Sequence, residues 1–488
     1  MNNLTLILPE IIIALIAIII LLSGSLFREK FEKLSGYFAF FGIFMAIATL
    51  LLISKEGSYQ TINLLEGITI AYSFDLFAIV FKLIFLSVAL LSVMASLKYM
   101  ENSKHLEAYY SLILVATLGM MVVASAGDLL TLFVGIETAA IPAFVLAAFE
   151  FNKKGLYGAL KYFLFGAIFS VILLFGIALI YAGTGSLMIS ELTTVSDTAK
   201  FAVFIGIMAL FAGLAFEMSA VPFHAWAPAA YEGAPAPVGA LLAGASKKMA
   251  FAAALKILAV AVILFKVELS IMIAILAIFS MIIGNILALG QKDVKRMLAY
   301  SSIAQVGYIL AAIAIFTPAG IAYAIYYIIV HAFMKGGAFI AVASTHISSG
   351  GKIKNYEDYI GLTQKMPITA FAMTAFLLSL AGIVPFGGFT AKILILFEIF
   401  VQAMQENTIA LILGVVMVVT SVISLYYYGR MIKYMWFVKV PEKEKNVKYK
   451  ENFAFILPMI IAVVALIILF YAPPFVEICM EIATGPGF

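Results

Sequence analysis

The sequence predicts an all-α polytopic membrane protein of about fourteen transmembrane helices. Three observations predict it. First, 65% of the 488 residues are hydrophobic and 11% are charged, whereas about a quarter of a soluble domain is charged. Second, apolar runs of the roughly 20 residues that a spanning helix needs follow one another almost back to back. Third, lysine and arginine alternate between loops. The spans read as approximately 4–23, 36–54, 71–97, 107–125, 128–150, 157–183, 201–222, 236–265, 268–289, 295–316, 319–345, 367–400, 404–436 and 453–472.

Each span is tested by the loop that follows it. Loops after odd-numbered spans hold 20 of the 30 Lys and Arg residues. Loops after even-numbered spans hold 3, namely Lys55, Lys200 and Lys266, and the other 7 lie inside spans. The positive-inside rule then sets both termini on the outer face of the cell membrane. The first apolar run has no basic region ahead of it and reads as a membrane helix, not a cleaved signal. The longest polar stretch, around residues 439–452, is too short to bury a core.

The middle of the chain repeats. GDLLTLFVGIETAAIPAFVLAAF begins at Gly127, and KDVKRMLAYSSIAQVGYILAAIAIF begins at Lys292, 165 residues later. LFGAIFS (164–170) aligns with IVHAFMK (329–335) at the same offset, and AVPF (220–223) aligns with IVPF (383–386). Each unit holds five spans. Five is odd, so the copies are expected in opposite orientations, a transporter arrangement. The expected organisation is three spans in 1–106, a first repeat in 107–266, an inverted second repeat in 267–436, and a basic loop with the last span in 437–488. Spans 7 and 12 are expected to be broken, at Pro222 and at Pro385 with the following Gly pair. A proline there removes a backbone donor, and loose backbone is tolerated at membrane depth only where protein or water satisfies it.

Composition also excludes chemistry. One cysteine, Cys479, rules out a disulfide framework and a cysteine-held cluster or zinc. No GxGxxG follows a strand, no His pair suits a haem, and no residue cluster resembles a metal cage. Redox chemistry and nucleotide hydrolysis are therefore not expected on this chain. The net charge of +4 is accounted for by topology and does not point to nucleic acid.

What remains is a set of ionisable residues inside spans, where a charge costs roughly 2.5–3.5 kcal/mol on insertion scales. Glu137 lies mid-span 5, Glu217 in span 7, Lys247 and Lys248 in span 8, and Lys392 in span 12. His331 and Lys335 lie four apart in span 11, on one face. Lys82, Lys161 and Lys256 read as snorkelling lysines or structural ion pairs. Alternating acids and bases along a membrane have the composition of a proton relay.

Long motifs carry a family resemblance over nearly the whole chain. They are LILPEIIIALIAIIILL, DLLTLFVGIE, SAVPFHAWAPAAYEGAPAPV, GASKKMAF, KRMLAYSSIAQVGY and SLAGIVPFGGFTAKILIL. The sequence resembles the antiporter-like membrane subunits of respiratory complex I and of F420H2 dehydrogenase, most of all the N-type. The resemblance implies a proton-translocating subunit without cofactors of its own, with flavin and iron–sulfur clusters in partner subunits and sibling antiporter-like subunits beside it. It implies Glu137 as the span 5 acid, Lys247 and Lys392 as the lysines of spans 8 and 12, and His331 with Lys335 as the link between half-channels. Where relatives read FKLS, this chain reads FEMS, so Glu217 stands in place of a lysine. The span 5 to span 7 contact is then expected to be two carboxylates sharing a proton, with the extra Lys248 supplying positive charge. The same motifs serve Mrp-type sodium/proton antiporters, the alternative reading. A stand-alone solute carrier is the third, without a substrate-pocket signature to support it.

Overall fold

The computed structural model describes residues 3–54, 60–65, 68–193, 195–442 and 447–485. Lys55, Lys443 and Lys445 of the loop count lie outside these residues. Polar residues at the ends of the apolar runs start the helices. Asp75 accepts from the Ala78 amide at 2.7 Å, Asp128 from Thr131 at 2.7 Å, Asn152 from Gly155 at 2.8 Å and Asp293 from Arg296 at 3.0 Å. Each satisfies an amide that the first helical turn leaves without a partner.

Among the described residues, eleven helices are long and apolar enough to cross a membrane, or twelve if one bent pair is a single span. The sequence reading has fourteen, and the two differ at identifiable places. The stretch read as spans 8 and 9 is continuous from Ala236 to Leu289, 54 residues long. Straight, it would run about 80 Å, against about 30 Å of hydrocarbon. It bends at Phe265, whose φ of −135° and ψ of 39° leave the helical region. Span 12 is two pieces, Pro367–Ala381 and Gly387–Met404. The first of these, like Leu8–Gly24, is a shorter apolar helix. The last span ends at Ile468, and a further helix, Pro473–Thr484, leaves it at 80°.

The all-α class holds, with one local exception that moves the start of span 3. Gln60–Leu65 and Ile68–Phe74 pair as an antiparallel hairpin, so span 3 begins at Leu76 and not near residue 71. The segments QTINLL and ITIAYSF are rich in β-branched residues, which suit a pleated ribbon better than a helix. The hairpin is tied to the Glu137 helix. Tyr72 bridges Ala126, and the Gly127 amide donates to the Ala71 carbonyl at 2.8 Å. A side chain at position 127 would meet the Ala71 Cβ at 2.7 Å, which explains the glycine.

Both proline positions interrupt helices. Lys200–Met218 ends on Ser219, at φ 61°, and Pro367–Ala381 ends on Gly382, at φ 84°. Both Pro222 and Pro385 follow cis peptide bonds. The freed backbone is satisfied from within. Trp226 Nε1 donates to the Phe216 carbonyl at 3.0 Å, and the Val221 amide donates to Ser280 Oγ at 2.9 Å. Beside the second break, Gly388 lies so close to the facing strand of backbone that a Cβ there would meet the Ser379 carbonyl oxygen at 1.9 Å.

Two helices form the centre. In Val294–Ala314 and Pro318–Ser348, 94% and 89% of the apolar window is buried, against 28% in Lys153–Thr184. The peripheral helices carry exposed Leu, Ile and Phe, such as Leu160, Phe163, Ile168 and Val171, as a lipid-facing surface requires.

Candidate functional site

The central helices bring four of the predicted lysines around His331. His331 and Lys335 are fully buried, as is Lys248, while Lys247 is 1% and Lys392 4% exposed. Lys248 Nζ lies 2.6 Å from His331 Nδ1 and donates to the Ala243 carbonyl at 2.8 Å. Two nitrogens at that distance share one hydrogen; both cannot hold a proton toward the other. All four lysines are within electrostatic reach of His331. None of them is in an ion pair among the described residues. A buried ammonium without a counter-charge is expensive, so charge on one of these groups raises the cost of charge on the next.

The lysine pair serves two neighbours. Residues 247 and 248 differ by about 100° around the helix, and they diverge accordingly. Lys248 faces His331, while Lys247 donates to Ser302 at 3.3 Å and sits 5.2 Å from the Tyr231 ring centroid. A π-helical turn, Leu242–Ser246, immediately precedes them. Lys335 donates to the Leu298 carbonyl at 2.8 Å and to Ser301 Oγ. Ser301 and Ser302 thus hold lysines from two different helices.

Toward the first break stand the acids. Glu217 is 5% exposed, and its Oε2 has no hydrogen-bond partner. Glu137 is half-buried, accepts from Ser170 Oγ, and is in electrostatic contact with Glu217. Tyr162 and Tyr231 lie within reach of Glu217, and the Tyr231 hydroxyl is unpartnered. Tyr231 is thus within reach of both Glu217 and Lys247.

Toward the second break, Lys392 donates to the Leu380 and Ala381 carbonyls at 2.9 and 3.2 Å, the end of the interrupted helix. It also lies 5.0 Å from the Tyr308 ring. Gln305 Nε2 donates to the same Leu380 carbonyl at 3.2 Å, and its Oε1 accepts from Tyr327. Tyr327 precedes His331 by one turn, with ring centroids 6.3 Å apart. A polar chain from His331 through Tyr327, Gln305 and Leu380 reaches Lys392.

Ser170, Tyr231, Ser301, Ser302, Gln305 and Tyr327 are absent from the sequence-derived set. One signal was available: the repeat alignment sets Ser170 opposite Lys335, and each reaches the neighbouring helix, Ser170 to Glu137 and Lys335 to Ser301. Two of the lysines read as snorkelling or structural make these contacts. Lys82 pairs with Glu10 at 2.8 Å, and Lys161 lies 4.9 Å from the Tyr157 ring.

On the basic face a clamp joins the two halves. Glu232 accepts from Lys154 at 2.6 Å and from Arg296 at 2.8 Å, and Lys295 donates to the Ala234 carbonyl at 2.7 Å. Burial pushes the Glu232 carboxyl up, but the hydrogen bonds from Lys154 and Arg296 outweigh it and hold it below its ordinary value of 4.5. A carboxyl held low stabilises the fold above that ordinary value, and the contribution is lost as pH falls through the depressed one. Glu232→Gln is expected to cost about 1–3 kcal/mol. Thermal unfolding of the purified assembly should show the loss at neutral pH, and the parent and variant should converge in acid.

A helical membrane protein with two broken helices and buried, unpaired lysines between them belongs to the ion-translocating class. The family described as "NADH:quinone oxidoreductase/Mrp antiporter, TM" matches residues 126–424. The chain is 40% identical to F420H2 dehydrogenase subunit N of Methanosarcina mazei, with 97% of each chain covered. It is 36% identical to NADH-quinone oxidoreductase subunit N of Desulforamulus reducens, covering 98% of this chain and 97% of that one. A chain of respiratory complex I from Thermus thermophilus with bound aureothin superposes with a TM-score of 0.77 at 28% identity, covering 96% of this chain and 97% of that one. The chain belongs to this family of membrane subunits, on the N-type branch.

Proposed function

We propose that the chain is a proton-translocating subunit of a redox-driven respiratory complex, of the NADH:quinone or F420H2 dehydrogenase type. It carries no redox centre; flavin and iron–sulfur clusters reside in partner subunits. Sibling antiporter-like subunits and small membrane subunits pack on its apolar flanks, in the cell membrane, with both termini outside. The two five-span repeats form half-channels of opposite orientation that meet at His331.

The Lys248–His331 contact carries this reading. A proton on Lys248 passes to His331 Nδ1, leaving an amine and an imidazolium. The imidazolium, whose Nε2 is unpartnered, releases its proton toward Tyr327 and Gln305 or toward Lys335. Lys248 is refilled from Lys247, which draws through Tyr231 on Glu217 and Glu137. Lys392 receives the proton at the second break. Because each charge disfavours the next, the groups work as a coupled set.

The test is the purified complex in vesicles, with electron transfer and proton uptake recorded together. Proton uptake tied to electron transfer, and unchanged when sodium is removed, supports the reading. Electron transfer without proton uptake overturns it. Sodium-dependent turnover would instead favour the Mrp-type alternative, in which Glu137, Glu217 and Ser219 supply oxygens; Ser219 Oγ and Glu217 Oε2 both lack partners.

A further inference from the structure

Glu10, the acid of the LPE run, has no part in the central set. It is 7% exposed on the Leu8–Glu32 helix. The Tyr72 hydroxyl donates to Glu10 Oε1 at 2.6 Å, and Lys82 Nζ reaches the same oxygen at 2.8 Å. Lys82 also donates to the Tyr72 oxygen at 2.8 Å, which closes a triangle of ammonium, phenol and carboxylate. Glu10 Oε2 is buried without a partner. Among the described residues this is the one ion pair in which both side chains are under a tenth exposed.

A clamp between helices accounts for little of this. Well-packed apolar residues hold helices together as well as a desolvated ion pair does. A clamp needs neither a phenol bridging the two charges nor a carboxylate oxygen left open. The next residue in the hairpin leads inward: Ser73 Oγ accepts from Lys256 Nζ at 3.0 Å, and Lys256 also donates to the Ala126 carbonyl at 2.8 Å. Lys82 and Asp75 are the charged groups in electrostatic reach of Lys256. Lys256 stands eight residues past Lys248 on one helix, about 12 Å along its axis. The cluster lies away from the basic loops: Asp75 caps the end of its helix opposite Lys98, and Ser125 ends a helix that follows Lys104.

We propose that Glu10, Tyr72 and Lys82 form a second proton-exchange site, on the side of the membrane opposite the basic loops, with Lys256 as its link toward Lys248. This rests on the proton-translocation reading above. The ammonium N–H of Lys82 breaks as its proton joins the Tyr72 oxygen, while the Tyr72 proton moves to Glu10 Oε1. The ion pair becomes an amine and a carboxylic acid, with zero net charge before and after. Glu10 then releases its proton to the nearby face, and Lys82 takes a new one from the Lys256 side. One proton enters and one leaves.

Infrared difference spectra of the purified intact complex, taken between acid and alkaline buffer, test the site directly. A carboxylic-acid carbonyl band that Glu10→Gln removes and Tyr72→Phe shifts is expected. In vesicles, Tyr72→Phe should slow proton release severalfold while assembly is unchanged. It keeps the ring and its packing, so it carries the test even where Glu10→Gln fails to assemble. Parental pumping in Tyr72→Phe, with no band that Tyr72→Phe shifts, would overturn the proposal and leave a structural pair. A Glu10 band in a complex that transfers electrons without moving protons would overturn the translocation reading while the exchange site stood.

Discussion

Glu217→Gln in the intact complex lowers coupled proton uptake by roughly a hundredfold, the lower end of what removing a positioned acid or base costs, whereas Glu217→Lys retains it. Glutamine keeps the volume and the hydrogen-bonding reach but cannot gain or lose a proton. Lysine restores the ammonium that the FKLS of relatives implies and sets it against Glu137. The site is prepared for a titrating group of either kind. Glu217 is 5% exposed, with one oxygen unpartnered and the hydroxyls of Tyr162 and Tyr231 within electrostatic reach. Two neighbouring carboxylates do not both ionise cheaply, and glutamine at 217 removes one of them. On the proposed relay a neutral acid at this position would do the work of an ammonium, storing a proton beside a carboxylate. The measurement is proton uptake and electron transfer in the same vesicles. Parental rates in the Gln variant would make Glu217 a bystander and confine the relay to the lysines and His331.

How far the sequence carries can be judged at particular residues. The apolar runs and the sign of the loops are strong signals, because lipid tolerates few exceptions. Boundaries that depend on backbone detail are weaker. The bend at Phe265 has neither Gly nor Pro beside it, yet Lys266 and Glu268 mark it, and the spans read as 236–265 and 268–289 part there; what the sequence does not show is that the helix continues through the bend. The hairpin was hidden because its residues are apolar enough to read as the start of span 3.

The buried charged residues were legible because a buried charge is costly and stands out in an apolar run. Their neutral partners were not. Gln305 and Tyr327 look like ordinary residues of the KRMLAYSSIAQVGY motif and its following helix, and only packing shows that they connect His331 to the Leu380 carbonyl. The SKK pair is intermediate. That its two lysines must diverge follows from helical geometry; that one meets His331 and the other Ser302 does not.

Lys392→Met should have the larger effect of the two changes argued here, abolishing coupled proton uptake while the fold survives. Methionine matches the aliphatic stem, which packs against Gly382; a Cβ at that glycine would meet Lys392 Cδ at 2.9 Å. What the change removes is the Nζ that holds the Leu380 and Ala381 carbonyls at the break. Those carbonyls end the interrupted helix, where the peptide dipoles leave partial negative charge. They attract an ammonium more strongly than an amine, so on the proposed relay the break would hold Lys392 more tightly when it is protonated. Gln305 shares the Leu380 carbonyl with Lys392, and that sharing supplies a graded control. Gln305→Leu leaves Lys392 in place but cuts the polar chain from His331, and should slow uptake without abolishing it. Equal loss in both variants would mean that the break, not the lysine, is what fails. Full activity in Lys392→Met would remove the second half of the chain from the proton path altogether.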